Sequence, residues 1–124
     1  MDVITASSSR PPTCLKKIEI LSRISHKWSL LIIMELAGGP RRFSELKRAM
    51  DGVSQRMLTL TLRDLERDGF IKRIVTPSIP PRVDYELTEM GRSLAGPVQA
   101  LSDWATQHLT QINSAQLQYE QVSS

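Results

Sequence analysis

The sequence predicts an α+β fold, mostly α, on three observations. Over residues 28–94 the apolar spacing and the chain breakers read, in order, as helix, short helix, capped helix, two strands around a Pro-Pro turn, and helix. The third of these helices carries leucines on one side and a polar, cationic surface on the other. Charge is also concentrated: over residues 41–82 ten Lys/Arg stand against five Asp/Glu, whereas the rest of the chain has six bases against eight acids, so a net charge of +3 conceals a polarised molecule. Such an element order is the layout of a winged helix-turn-helix, and a localised basic surface is what phosphate binding requires. Double-stranded DNA is therefore the expected partner.

At 124 residues the length allows one domain, whose core any additional element must share. Residues 1–12 form an expected flexible lead-in, with the polar run Ser7-Ser8-Ser9-Arg10-Pro11-Pro12; residues 13–112 form the winged-helix DNA-binding and dimerisation domain; residues 113–124 form a flexible, Gln/Ser-rich tail expected to fray. Thr13 is placed to cap a first helix bearing Leu15, Ile18, Leu21 and Ile24 at roughly helical spacing. A second helix, over residues 27–37, is apolar nearly all round, as a central helix covered on several sides is, and Gly38-Gly39-Pro40 ends it. Phe43, Leu46 and Met50 mark one face of a short helix near residues 44–50, after which Asp51-Gly52 turns the chain. Ser54 caps the next helix, which runs to about Asp68 and stops at Gly69. Leu58, Leu62 and Leu65 stack on its inner side, with Arg56, Leu60, Arg63 and Arg67 opposite and Gln55 and Thr59 flanking them.

Residues 70–75 and 83–87 read as the strands of a hairpin, the first β-branched and basic, the second alternating apolar with acidic. Pro77, Pro80 and Pro81 stiffen the loop between them, because each fixes φ and restricts the residue before it. Thr88 caps a last helix from about Glu89, which Gly96-Pro97 is expected to kink or split. Leu94, Val98, Leu101, Ala105 with Trp104, His108 and Ile112 lie along one stripe of that helix, further than a small winged core can cover. An apolar stripe left wet is an aggregation hazard, so a homodimer is expected through Leu15, Ile18 and Leu21 of the first helix and Val98, Leu101, Trp104 and His108 of the last.

A helix in the major groove reads base edges, while flanking cations fix its register by touching phosphates. The basic turn Arg41-Arg42, the outer face of the third helix and the stiff hairpin ending in Arg82 converge on one such surface. The expected DNA-binding set is Arg41, Arg42, Ser54, Gln55, Arg56, Thr59, Leu60, Arg63 and Arg82. Gln55, Arg56 and Thr59, near the start of the helix, are assigned to base edges; Arg63 and Arg67, further along, contact phosphates or are simply solvated. Leu60 is odd on a solvated face: it touches a thymine methyl or is an ordinary exposed leucine. The rival reading is a winged-helix protein–protein interaction module without sequence-specific DNA binding. A protein-binding face, however, shows apolar anchors where this chain has Arg41, Arg42, Arg56 and Arg82.

Cys14, Lys27-Trp28-Ser29-Leu30-Leu31-Ile32, Gly39-Pro40-Arg41-Arg42-Phe43-Ser44-Glu45-Leu46, Val53-Ser54-Gln55-Arg56-Met57-Leu58, Leu62-Arg63-Asp64-Leu65-Glu66-Arg67-Asp68-Gly69 and Pro80-Pro81-Arg82-Val83-Asp84-Tyr85-Glu86-Leu87-Thr88-Glu89-Met90-Gly91 occur in that order. Together they make residues 14–104 resemble the HxlR-type family of bacterial winged-helix transcription regulators. Each piece alone is weak, and their order and spacing carry the match. The resemblance implies a homodimer built from the first and last helices that binds pseudo-palindromic operators. Two departures stand out: Ser25-His26 occupies a place where members commonly have two glycines, and Leu60 one where a polar residue is usual.

The resemblance also implies a sensing role for Cys14, since several members use a cysteine at this place to detect oxidants or electrophiles. A thiol in the first turn of a helix beside Lys16 and Lys17 sits in positive potential that favours the reactive thiolate, and the competing reading is a small residue buried at the dimer seam. A small apolar effector lodged near Trp104 is the alternative input. As the single cysteine, Cys14 excludes an internal disulfide framework. His26 reads as a helix-start polar residue and His108 as an interface residue; no metal site and no cofactor are expected, because neither histidine has a second ligand at useful spacing. Trp28 reads as core packing and Trp104 as dimer packing. No nucleophile motif accompanies the Ser, His and acidic residues, so no enzyme is expected. No apolar run approaches the roughly 20 residues that a bilayer span needs, residues 1–12 have no secretory h-region, and the cytoplasm is the expected compartment.

Overall fold

Proline is favoured at the first helical position, where its missing N–H costs nothing and its fixed φ already suits the helix. In the computed structural model, which describes residues 12–123, helix α1 spans Pro12–Ile24, so Thr13 lies inside the first turn rather than capping it. The rest of the expected lead-in lies outside the described residues. Helix α2 spans Lys27–Leu36, with His26 as its cap: His26 Nδ1 accepts the Trp28 N–H at 3.3 Å. Ile32, Ile33 and Leu36 of α2 are buried, and Trp28, Leu30 and Met34 pack against the same cluster, as expected of a central helix.

Beyond the Gly39-Pro40 exit, Arg41 and Arg42 form a two-residue strand, β1, and not the basic turn expected from the sequence. The free edge of a neighbouring strand explains the difference: β1 pairs antiparallel with β3 (Arg82–Leu87), setting Arg41 opposite Tyr85 and Arg42 opposite Asp84. Helix α3 follows at Phe43–Ala49, where the Glu45 carboxylate accepts the Arg42 backbone N–H at 2.8 Å. Helix α4 spans Gln55–Arg67 and ends at Gly69, whose φ of 85° suits glycine. There the N–H groups of Phe70 and Gly69 donate to the carbonyls of Leu65 and Glu66, closing the helix end in a Schellman arrangement. Phe70 is thereby used, and strand β2 starts one residue later than expected, at Ile71–Thr76.

The sheet order is β1-β3-β2, with β2 and β3 forming the hairpin in the register Ile71 to Leu87 through Thr76 to Arg82. Thr88 caps the last helix as expected, accepting the Gly91 N–H on its hydroxyl oxygen at 3.1 Å while donating to the Gly69 carbonyl at 2.6 Å. That helix, α5, runs unbroken over Glu89–Ser123, so Gly96-Pro97 does not split it. Leu94 packs against the core one turn before Pro97 and Val98 is buried just after it, which anchors both flanks and offsets the roughly 3 kcal/mol cost of an interior proline. Nor does a break mark residue 113, the expected start of a frayed tail: Ala, Leu, Gln and Glu are good helix formers, and the helix continues through them. The core gathers Ile32, Ile33, Leu36, Leu46, Met50, Val53, Leu58, Leu62, Leu65, Phe70, Ile71, Leu87 and Val98.

Candidate nucleic-acid interface

Helix α4 is oriented by its cap and its leucines. Ser54 Oγ accepts the Met57 N–H at 3.0 Å, which satisfies an orphan donor and leaves the hydroxyl proton free for an outside acceptor. Leu58, Leu62 and Leu65 are buried on the inner side, which turns Gln55, Arg56 and Arg63 outward into solvent. Thr59 is half-buried and its hydroxyl donates to the Gln55 carbonyl at 2.8 Å, leaving acceptor capacity only. Leu60, 38% exposed, lies at the margin of this face. With Met57, Arg23, Ile24 and His26 it lines a cavity of about 370 Å³ between α4 and the first two helices.

Cations frame α4 on two sides, in different states. Arg42, Arg56 and Arg63 are exposed and form no ion pair among the described residues. Arg41 is held: its Nε lies 3.6 Å from Glu35 and its guanidinium donates to the Pro40 carbonyl at 3.0 Å. On the hairpin, Arg82 Nε pairs with Asp84 at 2.9 Å, and Lys72 with Glu86 at 3.2 Å across the strands. Arg67 is paired with Asp64 one turn earlier, at 2.9 Å. The expected residues thus lie on β1, α4 with its cap, and the hairpin, with Arg41 and Arg82 each held by a carboxylate.

Two residues of this surface were absent from the expected set. Arg73 and Tyr85, opposite each other in the hairpin, line a groove of about 570 Å³ together with Thr59, Arg63, Glu66 and Arg67. Strand alternation was the available signal: Arg73 stands two residues from buried Ile71 and Tyr85 two from buried Leu87, so both share the face turned toward α4. Burial pushes the Tyr85 hydroxyl above its ordinary value of 10.0, with Arg73 acting downward and Glu66 upward, so the phenol is a neutral donor.

The expected interface residues divide. Leu15, Ile18 and Leu21 on α1 and Leu101 and Trp104 on α5 are about half exposed in the single chain. Ile18, Leu21, Val98 and Leu101 meet at one apolar hollow of about 380 Å³, which joins the two stripes. Val98 is itself 6% exposed and belongs to the chain's own core. His108 stacks on Trp104 at 4.3 Å between ring centroids and donates Nδ1–H to the Trp104 carbonyl at 2.8 Å, which fixes its tautomer. Cys14 is a free, half-buried thiol in the first turn of α1. Among the described residues, no group of three His, Cys, Asp or Glu is placed to hold a metal ion, and no helix is long and apolar enough to cross a membrane.

Residues 23–113 match the sequence model of the HxlR-like helix-turn-helix family. The chain is 47% identical over 92 residues to the HTH-type transcriptional regulator YtcD of Bacillus subtilis, an overlap of 74% of this chain and 73% of that one. Among solved structures it is similar to the transcriptional regulator YtfH from Salmonella typhimurium, with a TM-score of 0.75 and 40% identity over 81% of this chain and 89% of that one. It is also similar to the redox regulator HypR in its reduced form, with a TM-score of 0.75 and 36% identity over 80% of this chain and 98% of that one.

Proposed function

Because this chain belongs to the HxlR-like helix-turn-helix family and is a transcriptional regulator of the helix-turn-helix type, we propose that it reads a pseudo-palindromic operator in double-stranded DNA as a homodimer. The observation that carries the reading is α4, a capped helix with a buried leucine side and a free outer side bearing Gln55 and Arg56 in its first turn. Both residue types make bidentate contacts in the major groove, Arg to guanine and Gln to adenine. Ser54 at the start of that helix, Arg63 further along it and Arg42 serve phosphates, as do Arg41 and Arg82 from their carboxylate-held positions. The cavity beside Leu60 supports a packing role for it over contact with a thymine methyl.

The half-exposed stripes of α1 and α5 support the homodimer, since a partner's copy would cover them. As regulatory input we assign oxidation of Cys14, supported by its free, half-buried thiol on a dimerisation helix and by the likeness to a redox regulator.

The test compares wild type, Arg56→Ala and Arg82→Ala on operator and random duplexes across a salt series. Arg56→Ala should cost about 1–3 kcal/mol on the operator and relax preference at one base position, whereas Arg82→Ala should weaken all sequences alike and lower the salt slope by about one. Equal effects of Arg56→Ala on operator and random duplexes would contradict the base-reading role.

A further inference from the structure

A helix seated in the major groove has a sugar-phosphate strand on either side of it, because that strand is the wall between the major groove and the next minor groove. In this protein the hairpin stands beside α4, and the groove of about 570 Å³ between them is lined by Arg63 and Arg67 from the helix and by Arg73 and Tyr85 from the strands. With α4 in a major groove, the DNA strand on the hairpin side would lie over that groove. Resting on the DNA-binding reading above, we propose that Arg63, Arg73 and Tyr85 form a phosphate clamp that holds one backbone phosphodiester between the recognition helix and the hairpin.

The charge and the free donors support this assignment. Arg67 is engaged by Asp64 at 2.9 Å, while Arg63 and Arg73 have no ion-pair partner among the described residues. Glu66 also lines the groove and is the one carboxylate there, so the three arginines leave it cationic. Tyr85 is half-buried and lines the groove, and its hydroxyl has no hydrogen-bond partner among the described residues. A neutral phenol supplies a donor of fixed direction, held by a ring packed against the core, and two guanidiniums supply charge. A phosphodiester accepts both kinds of donor, and a base edge is not needed to explain either.

The two hairpin members differ in charge, so they separate in a salt series. Arg73→Gln should weaken binding to operator and random duplexes alike, by roughly tenfold, and lower the slope of log affinity against log salt by about one. Tyr85→Phe should weaken both alike while leaving the slope unchanged, because a phenol displaces no counterion. Thermal unfolding of each variant, with a wild-type midpoint, confirms that the hairpin is intact. If wild type binds duplex DNA and either folded variant binds as tightly, the clamp is wrong and the regulator reading stands. Loss confined to the operator sequence would likewise overturn the clamp, since it would place these groups on bases. A wild type that binds no duplex at all overturns both.

Discussion

Gly91 is the most tightly enclosed of the described glycines: a Cβ built there would lie 2.0 Å from the Phe70 carbonyl oxygen. That oxygen already accepts the Thr88 N–H at 3.0 Å, so the strand entry cannot move aside cheaply. Gly91→Ala should destabilise by at least the 1–3 kcal/mol typical of overpacking, read as a lower denaturation midpoint with an unchanged slope. Ser54→Ala should cost about 1 kcal/mol through the lost cap, and Thr at the same position should restore most of it. At Tyr85 burial raises the folded-state pKa above the unfolded value, so the associated stability is full below about pH 10 and is lost as pH rises through the folded pKa. Tyr85→Phe should therefore flatten the alkaline limb of a stability–pH curve. The sequence displayed Ser54 and Thr88 as caps because capping is local. It did not display Gly91 or Tyr85, whose roles depend on chain segments about twenty residues away, in Phe70 and in α4.

At the level of elements, α4 and the hairpin were legible because each has a period bounded by turn or cap signals that agree, and α2 because an almost wholly apolar run stops at Gly38-Gly39-Pro40. Strand β1 was not, since two residues carry no period and it exists only because β3 offers an edge. Of the kink or split expected at Gly96-Pro97, the split does not occur, because Leu94 and Val98 hold helix α5 to the core on both sides of the proline. Its exposed stripe, with that of α1, is where the dimer prediction belongs. Leu101→Asp, at a side chain 58% exposed in the single chain, should leave the fold intact and shift sedimentation from dimer to monomer at micromolar concentration. A variant that stays dimeric would move the interface elsewhere. The same helices frame the prediction for Cys14: diamide should change operator affinity in wild type and not in Cys14→Ser. An unresponsive wild type, or a response that survives the serine substitution, would reduce Cys14 to a packing residue.

Over the whole molecule, the basic stretch of residues 41–82 folds into β1, α3, α4 and the hairpin, while the exposed apolar stripes belong to α1 and α5. Charge that looked modest in total is thus concentrated in the elements around the proposed reading helix, and such a concentration would favour fast, salt-dependent association with DNA. A homodimer built through α1 and α5 relates two such surfaces by a dyad, and two α4 helices so related must enter major grooves on one face of the duplex. Site geometry and protein symmetry are therefore tied. Selection of bound sequences from a random duplex pool tests this claim most directly. The account predicts enrichment of a two-fold symmetric motif with half-site centres about one helical turn, roughly 10 bp, or a multiple of it apart. Enrichment of an asymmetric single site, or no enrichment over the starting pool, would contradict it.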